Sequence, residues 1–157
     1  MPTLDLILEQ KRSLILETFV SEVRVYRLAP AQRTNAEIAD RLGDYLSAVV
    51  GALRRGHSKD PEALHLAAEH GEQRARIGFD VIALVGEFGI LRSTAVEVAR
   101  QNNALTVTEM ERFCEILHLS LLAALTRFVV SSDAQGKTMV TTAHVSAAAA
   151  ALAGVPR

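Results

Sequence analysis

The charged side chains that could do chemistry in this chain lie close together between positions 70 and 92. His70 and Arg74 are four residues apart, so on a helix they share one side and together could hold an anion or a carboxylate. Glu87 stands within an apolar stretch that includes Leu84, Val85, Phe88 and Leu91. A carboxylate beside an apolar helix face is costly unless it is paired. Glu87 therefore needs a cationic partner.

Three arginines are candidate partners of Glu87. Arg92 is five residues further along the same helix, which is too far around it for a good pair. A pairing back across a turn at Gly78, to Arg74 or Arg76, is the better geometry. The sequence favours a structural ion pair here over a ligand site. His70, Arg74, Glu87 and Arg92 together form the predicted polar network.

Other reactive side chains give no recognisable site. Cys114 and His118 are one helical turn apart, but two potential ligands do not make a metal centre, and no Cys-x-x-Cys-His haem attachment occurs. The chain has no glycine-rich phosphate loop, no Gly-x-Ser-x-Gly and no His-Glu-x-x-His. We therefore expect no metal, no cofactor and no enzymatic activity.

The composition limits the class of protein. Hydrophobic residues make up 49% of the 157 positions, aromatic residues 4%, and tryptophan is absent, which suits packed helices of Leu, Ala, Val and Ile. The net charge of −1 argues against nucleic acid or an acidic membrane as a partner. A single cysteine, no signal segment and no long uninterrupted apolar run predict a cytoplasmic protein without a membrane span.

Apolar spacing predicts an all-α domain with five main helices and no sheet. The first helix is expected from a cap at Thr3 to about Leu28, where Ala29-Pro30 ends it. The second is expected from the capping box Thr34/Glu37 to about Arg55, closed by Gly56.

Two further helices are expected on either side of Gly78. Asp60-Pro61 is a clear start signal for the third helix. Asp80 is the expected cap of the fourth, which runs to about Gln101. One uninterrupted helix from Pro61 to Gln101 is the competing interpretation.

The fifth helix and the tail complete the chain. Two overlapping capping boxes leave the start of the helix open between Thr106/Glu109 and Thr108/Glu111. The helix is expected to end near Val130. Residues 1–131 then form the helical domain, and residues 132–157 form a linker or weakly helical tail, with an alanine-rich helix possible from Thr142 to Ala153.

The central motif resembles a known family. It consists of His70, Arg74, Gly78-Phe79, Glu87 and Leu91-Arg92, and it follows one helix beginning near Leu4 and another around Asp44 to Leu53. This arrangement, over roughly residues 4 to 130, resembles the N-terminal domain family named for RsbRD, a bacterial RsbT co-antagonist.

The resemblance implies an all-helical input module that precedes a histidine kinase or a STAS output domain. Related stressosome input domains are globin-like, lack haem and dimerise. After Val130 this chain has no room for such an output domain, so we expect either an isolated sensory part or a stand-alone regulator. The expected function is a homodimeric sensory or regulatory module with a kinase, STAS or anti-sigma-type partner. The alternative is a globin-like haem or small-ligand binding protein with His70 or His118 as axial ligand.

Overall fold

The computed structural model describes residues 1–136, 147 and 149–151. Its helices follow in the order α1 (Leu4–Gln10), α2 (Arg12–Val25), α3 (Asn35–Ala39), α4 (Leu42–Arg55), α5 (Pro61–Arg76), α6 (Val81–Gln101) and α7 (Val107–Gln135). The described part of the chain contains no strand. The predicted all-α class is therefore confirmed, although two of the five expected helices are each divided into two.

The predicted first helix is interrupted at Lys11 and ends early. Lys11 separates α1 from α2, yet the amides of Lys11 and Ile15 still bond to carbonyls four residues back, so the interruption is a kink. Arg27 then adopts a left-handed φ of 54°, which ends the helix before Pro30 is reached. Thr3 is the N-cap residue but makes no side-chain capping bond.

The prediction of one continuous second helix is wrong, because the helix is interrupted between α3 and α4. Its start is as predicted: Thr34 and Glu37 form a complete capping box. Asp40 then turns to φ 44°, and a new helix begins two residues later. Gly56 ends this helix in the left-handed conformation, at φ 71°.

The turn expected at Gly78 separates α5 from α6, so the uninterrupted helix is wrong. Gly78 has φ 93°, a conformation that glycine adopts without steric cost. Both expected caps are present, since Asp60 accepts the Ala63 amide at 3.0 Å and Asp80 accepts the Ala83 amide at 2.7 Å.

The last helix starts at the first of the two candidate capping boxes. Thr106 and Glu109 form the box, and Glu109 also accepts the Leu4 amide at 3.0 Å, which ties the start of α1 to α7. The helix continues past Val130 to Gln135, with Ser132 buried. Most of the predicted 142–153 helix lies outside the described residues.

By length and composition alone, α7 could cross a membrane, and 33% of its most apolar window is buried. A core helix of a water-soluble domain meets the same criteria. The expectation that the chain has no membrane span stays a prediction.

The closest helix packing joins α5 to α7. Small buried residues recur every fourth position on α5, at Ala63, Ala67, Gly71 and Ala75. A Cβ atom at Gly71 would overlap the backbone of Ala124 in α7. The missing side chain of Gly71 is therefore what lets the two helices approach, as small residues do at other close helix crossings. The remaining core is aliphatic, with Phe19, Phe113 and Phe128 fully buried within it.

Candidate functional site

A buried ion pair between α5 and α6 forms the centre of the candidate site. The Arg74 and Glu87 side chains are 0% and 1% exposed. Arg74 Nε donates to both Glu87 oxygens at 3.0 Å, and Nη2 donates to Oε1 at 2.8 Å. The guanidinium thus binds the carboxylate through two nitrogens, and this bidentate arrangement gives such pairs their strength and directionality.

The same guanidinium reaches the break between α3 and α4. Arg74 Nη1 donates to the Glu37 carbonyl oxygen at 2.8 Å, and Nη2 donates to the Ile38 carbonyl oxygen. In an unbroken helix those carbonyls would accept the amides of residues 41 and 42. Arg74 takes their place, which is a physical cause for the division of the predicted helix. The Phe79 ring lies against the guanidinium, with its centroid 4.5 Å from Cζ.

His70 joins the ion pair to the same break. Its Nε2 lies 3.1 Å from Glu87 Oε2, and its Nδ1 lies 3.3 Å from Asp40 Oδ2. A neutral imidazole donates through only one nitrogen, so the protonated ring is the form that can donate to both carboxylates. We define Asp40, His70, Arg74 and Glu87 as the buried charge cluster.

The cluster keeps its two carboxylates ionised. Burial raises the pKa of Glu87, but the charges and hydrogen bonds of Arg74 and His70 outweigh it, and the net pKa is below the ordinary value. Burial likewise raises the pKa of Asp40, whereas His70 and the Arg41 amide lower it by more. The Arg74–Glu87 pair is therefore held away from water, with the partly buried Asp40 carboxylate beside it.

A small cavity of about 30 Å³ adjoins the cluster. Asp40, His70 and Glu87 form its polar wall, and its other lining residues include Phe19 and Phe88. A volume above about 10–15 Å³ suffices for a water molecule. As it stands the cavity admits water and no larger ligand.

The structure brings together three of the four residues of the predicted network, because Arg92 lies elsewhere. Arg76, the other candidate partner of Glu87, instead pairs with Glu72 on its own helix. Arg92 lines a groove between α6 and α7, together with Cys114 and His118. Asp40 was missed, since nothing in the sequence indicates the break that turns its side chain toward His70.

The contacts of the site are ion pairs and hydrogen bonds that connect helices. No serine, threonine or cysteine lines the cavity beside the cluster. Among the described residues no group of three or more His, Cys, Asp or Glu side chains is arranged so that it could hold a metal ion. Both nitrogens of His70 already face carboxylates, so ligation of haem by either nitrogen would require the contact of that nitrogen to break.

The fold and the site define an all-helical domain whose elements meet at a buried charge cluster. The family model described as the RsbT co-antagonist protein rsbRD N-terminal domain matches residues 13–132, so the chain belongs to this family. The match includes every residue of the buried charge cluster. The family is that of a signalling domain of the stressosome RsbT co-antagonist type. No curated protein and no solved structure matches the chain.

Proposed function

We propose that this chain is a non-enzymatic cytoplasmic input domain. It self-associates and passes a signal to an output partner, either a histidine kinase, a STAS domain or an anti-sigma-type protein. Membership of the RsbRD N-terminal family supports the signalling role. One structural observation carries the proposal further: a single helix, α5, carries His70 and Arg74 of the buried charge cluster and packs directly on α7 at Gly71.

The contacts of α5 suggest how a signal would travel. His70 and Arg74 fix the α3–α4 break and α6, while Gly71, between them in sequence, contacts Ala124 of α7 without an intervening side chain. A shift of α5 that follows a change in the cluster would therefore move α7, because tightly packed helices cannot absorb it by local compression. The matched family region ends at residue 132, in the last turn of α7, which ends at Gln135.

Exposed apolar residues on the first and last helices support self-association. Leu14 of α2 is 48% exposed and Leu122 of α7 is 49% exposed, and Leu6, Met110 and Val129 are exposed as well. Exposed apolar residues of this kind are suited to a symmetric interface between two copies. Light scattering on the purified chain tests this part, and a monomer at high concentration would contradict it.

Hydrogen exchange tests the coupling itself. Glu87→Gln removes the charge at the cluster while keeping the side-chain shape, and we expect faster amide exchange in α5 and in residues 120–135 of α7. Glu97→Gln is the matched control, because Glu97 lies on the same helix but pairs with Arg100 at the surface. It should leave α7 unchanged.

General destabilisation must be separated from coupling. Val23→Ala removes buried volume from α2, a helix that contributes no residue to the cluster, and provides a destabilised reference. If Glu87→Gln and Val23→Ala speed exchange in the same regions, or if the effect of Glu87→Gln stays within α3 and α6, the proposed path from the cluster through α5 to α7 is wrong.

A further inference from the structure

A second concave region lies between α6 and α7, on the other side of Phe88 from the buried charge cluster. Its volume is about 310 Å³, within the range of small-molecule sites. Its apolar lining is formed by Phe88, Leu117 and Leu121, and Gly89 adds no side chain to fill it. We call this region the α6–α7 groove.

The polar residues of the α6–α7 groove favour an anion. Arg92, His118 and Cys114 are its polar lining residues, and no acidic side chain lines it in the described part of the chain. Arg92 also interacts with another group in the protein, and its guanidinium carries a permanent positive charge and five N–H donors. A guanidinium is suited to bind a carboxylate through two parallel hydrogen bonds, and His118 provides a second donor one helix away.

The α6–α7 groove is also connected to the site described above. Phe88 lines both the groove and the small cavity beside the cluster. Its ring packs edge to face on His70, with centroids 6.3 Å apart, and on Tyr45 at the same distance. A molecule that presses on Phe88 from the groove therefore acts directly on a ring in contact with His70.

From this arrangement we infer that the α6–α7 groove binds an apolar organic monocarboxylate. The carboxylate pairs with Arg92 and His118, and the apolar body packs on Phe88, Leu117 and Leu121. Binding goes beyond the proposed input role, whereas an effect of binding on the buried charge cluster rests on that role. The two parts are tested separately.

Binding is tested with 4-phenylbutyrate and its neutral and cationic analogues, 4-phenylbutanol and 4-phenylbutylamine. Calorimetric titration should give 4-phenylbutyrate a Kd at least about tenfold below that of the alcohol, a difference of 1.4 kcal/mol. The amine should bind more weakly still. Equal Kd values for the acid and the alcohol would show that no cation contributes, and the inference would be wrong.

The role of Arg92 is tested by three variants. Arg92→Ala should remove the preference for the acid, while Arg92→Lys should restore most of it because the charge returns. Arg100→Ala is the matched control, since Arg100 is an exposed arginine of the same helix that does not line the groove. If Arg92→Ala binds 4-phenylbutyrate as the wild type does, or if Arg100→Ala weakens it equally, the assigned site is wrong.

Cys114 reports where the ligand sits, because it is the single cysteine of the chain. 4-Phenylbutyrate should slow alkylation of Cys114 by the neutral reagent N-ethylmaleimide, and the protection should disappear in Arg92→Ala. If Cys114 is protected without ligand at concentrations at which the chain is a dimer, and 4-phenylbutyrate adds nothing, the groove is an interface between copies and the inference fails.

The effect on the cluster has its own readout. Saturating 4-phenylbutyrate should shift the NMR resonances of the His70 ring, and the shift should be absent in Arg92→Ala. Binding without that shift would leave the ligand site standing and would overturn only its link to the proposed input function.

Discussion

Removing the carboxylate of Glu87 is the sharpest test of the buried charge cluster. In Glu87→Ala the Arg74 guanidinium loses three contacts of 2.8–3.0 Å while its side chain stays inaccessible to water, at 0% exposure. Protonation cannot relieve the mismatch, because arginine keeps its charge in proteins. The variant therefore holds an uncompensated buried cation.

The expected cost follows from that environment. Breaking a buried ion pair by removing one partner costs about 3–5 kcal/mol. The carbonyls of Glu37 and Ile38 and the Gln73 side chain still accept from Arg74, so the cost should lie near the lower end, at about 3 kcal/mol. For a chain of this size each kcal/mol corresponds to about 2–4 °C. The melting temperature should then fall by about 6–12 °C.

Thermal and urea unfolding of three proteins measure this cost. Glu87→Gln should fall between Glu87→Ala and the wild type, because the amide oxygen still accepts one hydrogen bond. Glu97→Ala removes an exposed pair on the same helix, where the effect should stay below about 1 kcal/mol. A Glu87→Ala protein within about 1 kcal/mol of the wild type would refute the reasoning, since Arg74 would then have to be hydrated or paired elsewhere.

Two pairs of substitutions and one change of pH give further predictions of defined sign. Gly71→Ala should lower the melting temperature by several degrees because the new methyl overlaps the α7 backbone, whereas Gly43→Ala meets only ordinary contact at 3.7 Å and should stabilise α4 by up to about 1 kcal/mol. Leu14→Glu should weaken self-association in light scattering with little effect on melting, whereas Ile15→Glu should unfold the chain, since Ile15 is 0% exposed. The depressed pKa of Glu87 means that its stabilisation is complete above the ordinary value of 4.5 and is lost as the pH falls through the folded-state pKa; urea melts should show a shallower acid decline for Glu87→Gln.

Local signals made much of the helical layout predictable. Capping residues act within one turn of the chain, so Thr34, Asp60, Asp80 and Thr106 indicated four helix starts from their neighbours alone. The pattern around Glu87 was informative for a related reason: a carboxylate on a buried face demands a cation, and few arginines lie within reach. Ile15 shows the limit of this reasoning. Residues 14–16 are three consecutive aliphatic residues that cannot all face one side of a helix, and only packing decides that the central one is buried and Leu14 is exposed.

The division at Asp40 could not be predicted locally, because its cause lies 34 positions further along the chain. Residues 35–55 have helical spacing throughout, and neither proline nor glycine stands at the break. The helix is divided by a tertiary contact. Arg74, in place of the missing helix amides, donates hydrogen bonds to the carbonyl oxygens of Glu37 and Ile38. Asp40, left with a φ of 44°, is then free to approach His70.

That dependence gives the cluster a property that an ordinary ion pair lacks. In the folded protein Arg74 donates hydrogen bonds both to the Glu87 carboxylate and to the two α3 carbonyls that lack amide partners. A change that draws the guanidinium toward one of these acceptors therefore weakens its hydrogen bonds to the other. Local sequence favours an unbroken helix from Thr34 to Arg55. In that helix the carbonyls of Glu37 and Ile38 would accept backbone amides instead of the Arg74 guanidinium. A shift at Glu87 would therefore change the geometry of α3 and α4 as well as the position of α5. Because α5 is fixed to α7 at Gly71, a small local change in the cluster would reach α3, α4, α5 and α7, as the proposed input role requires.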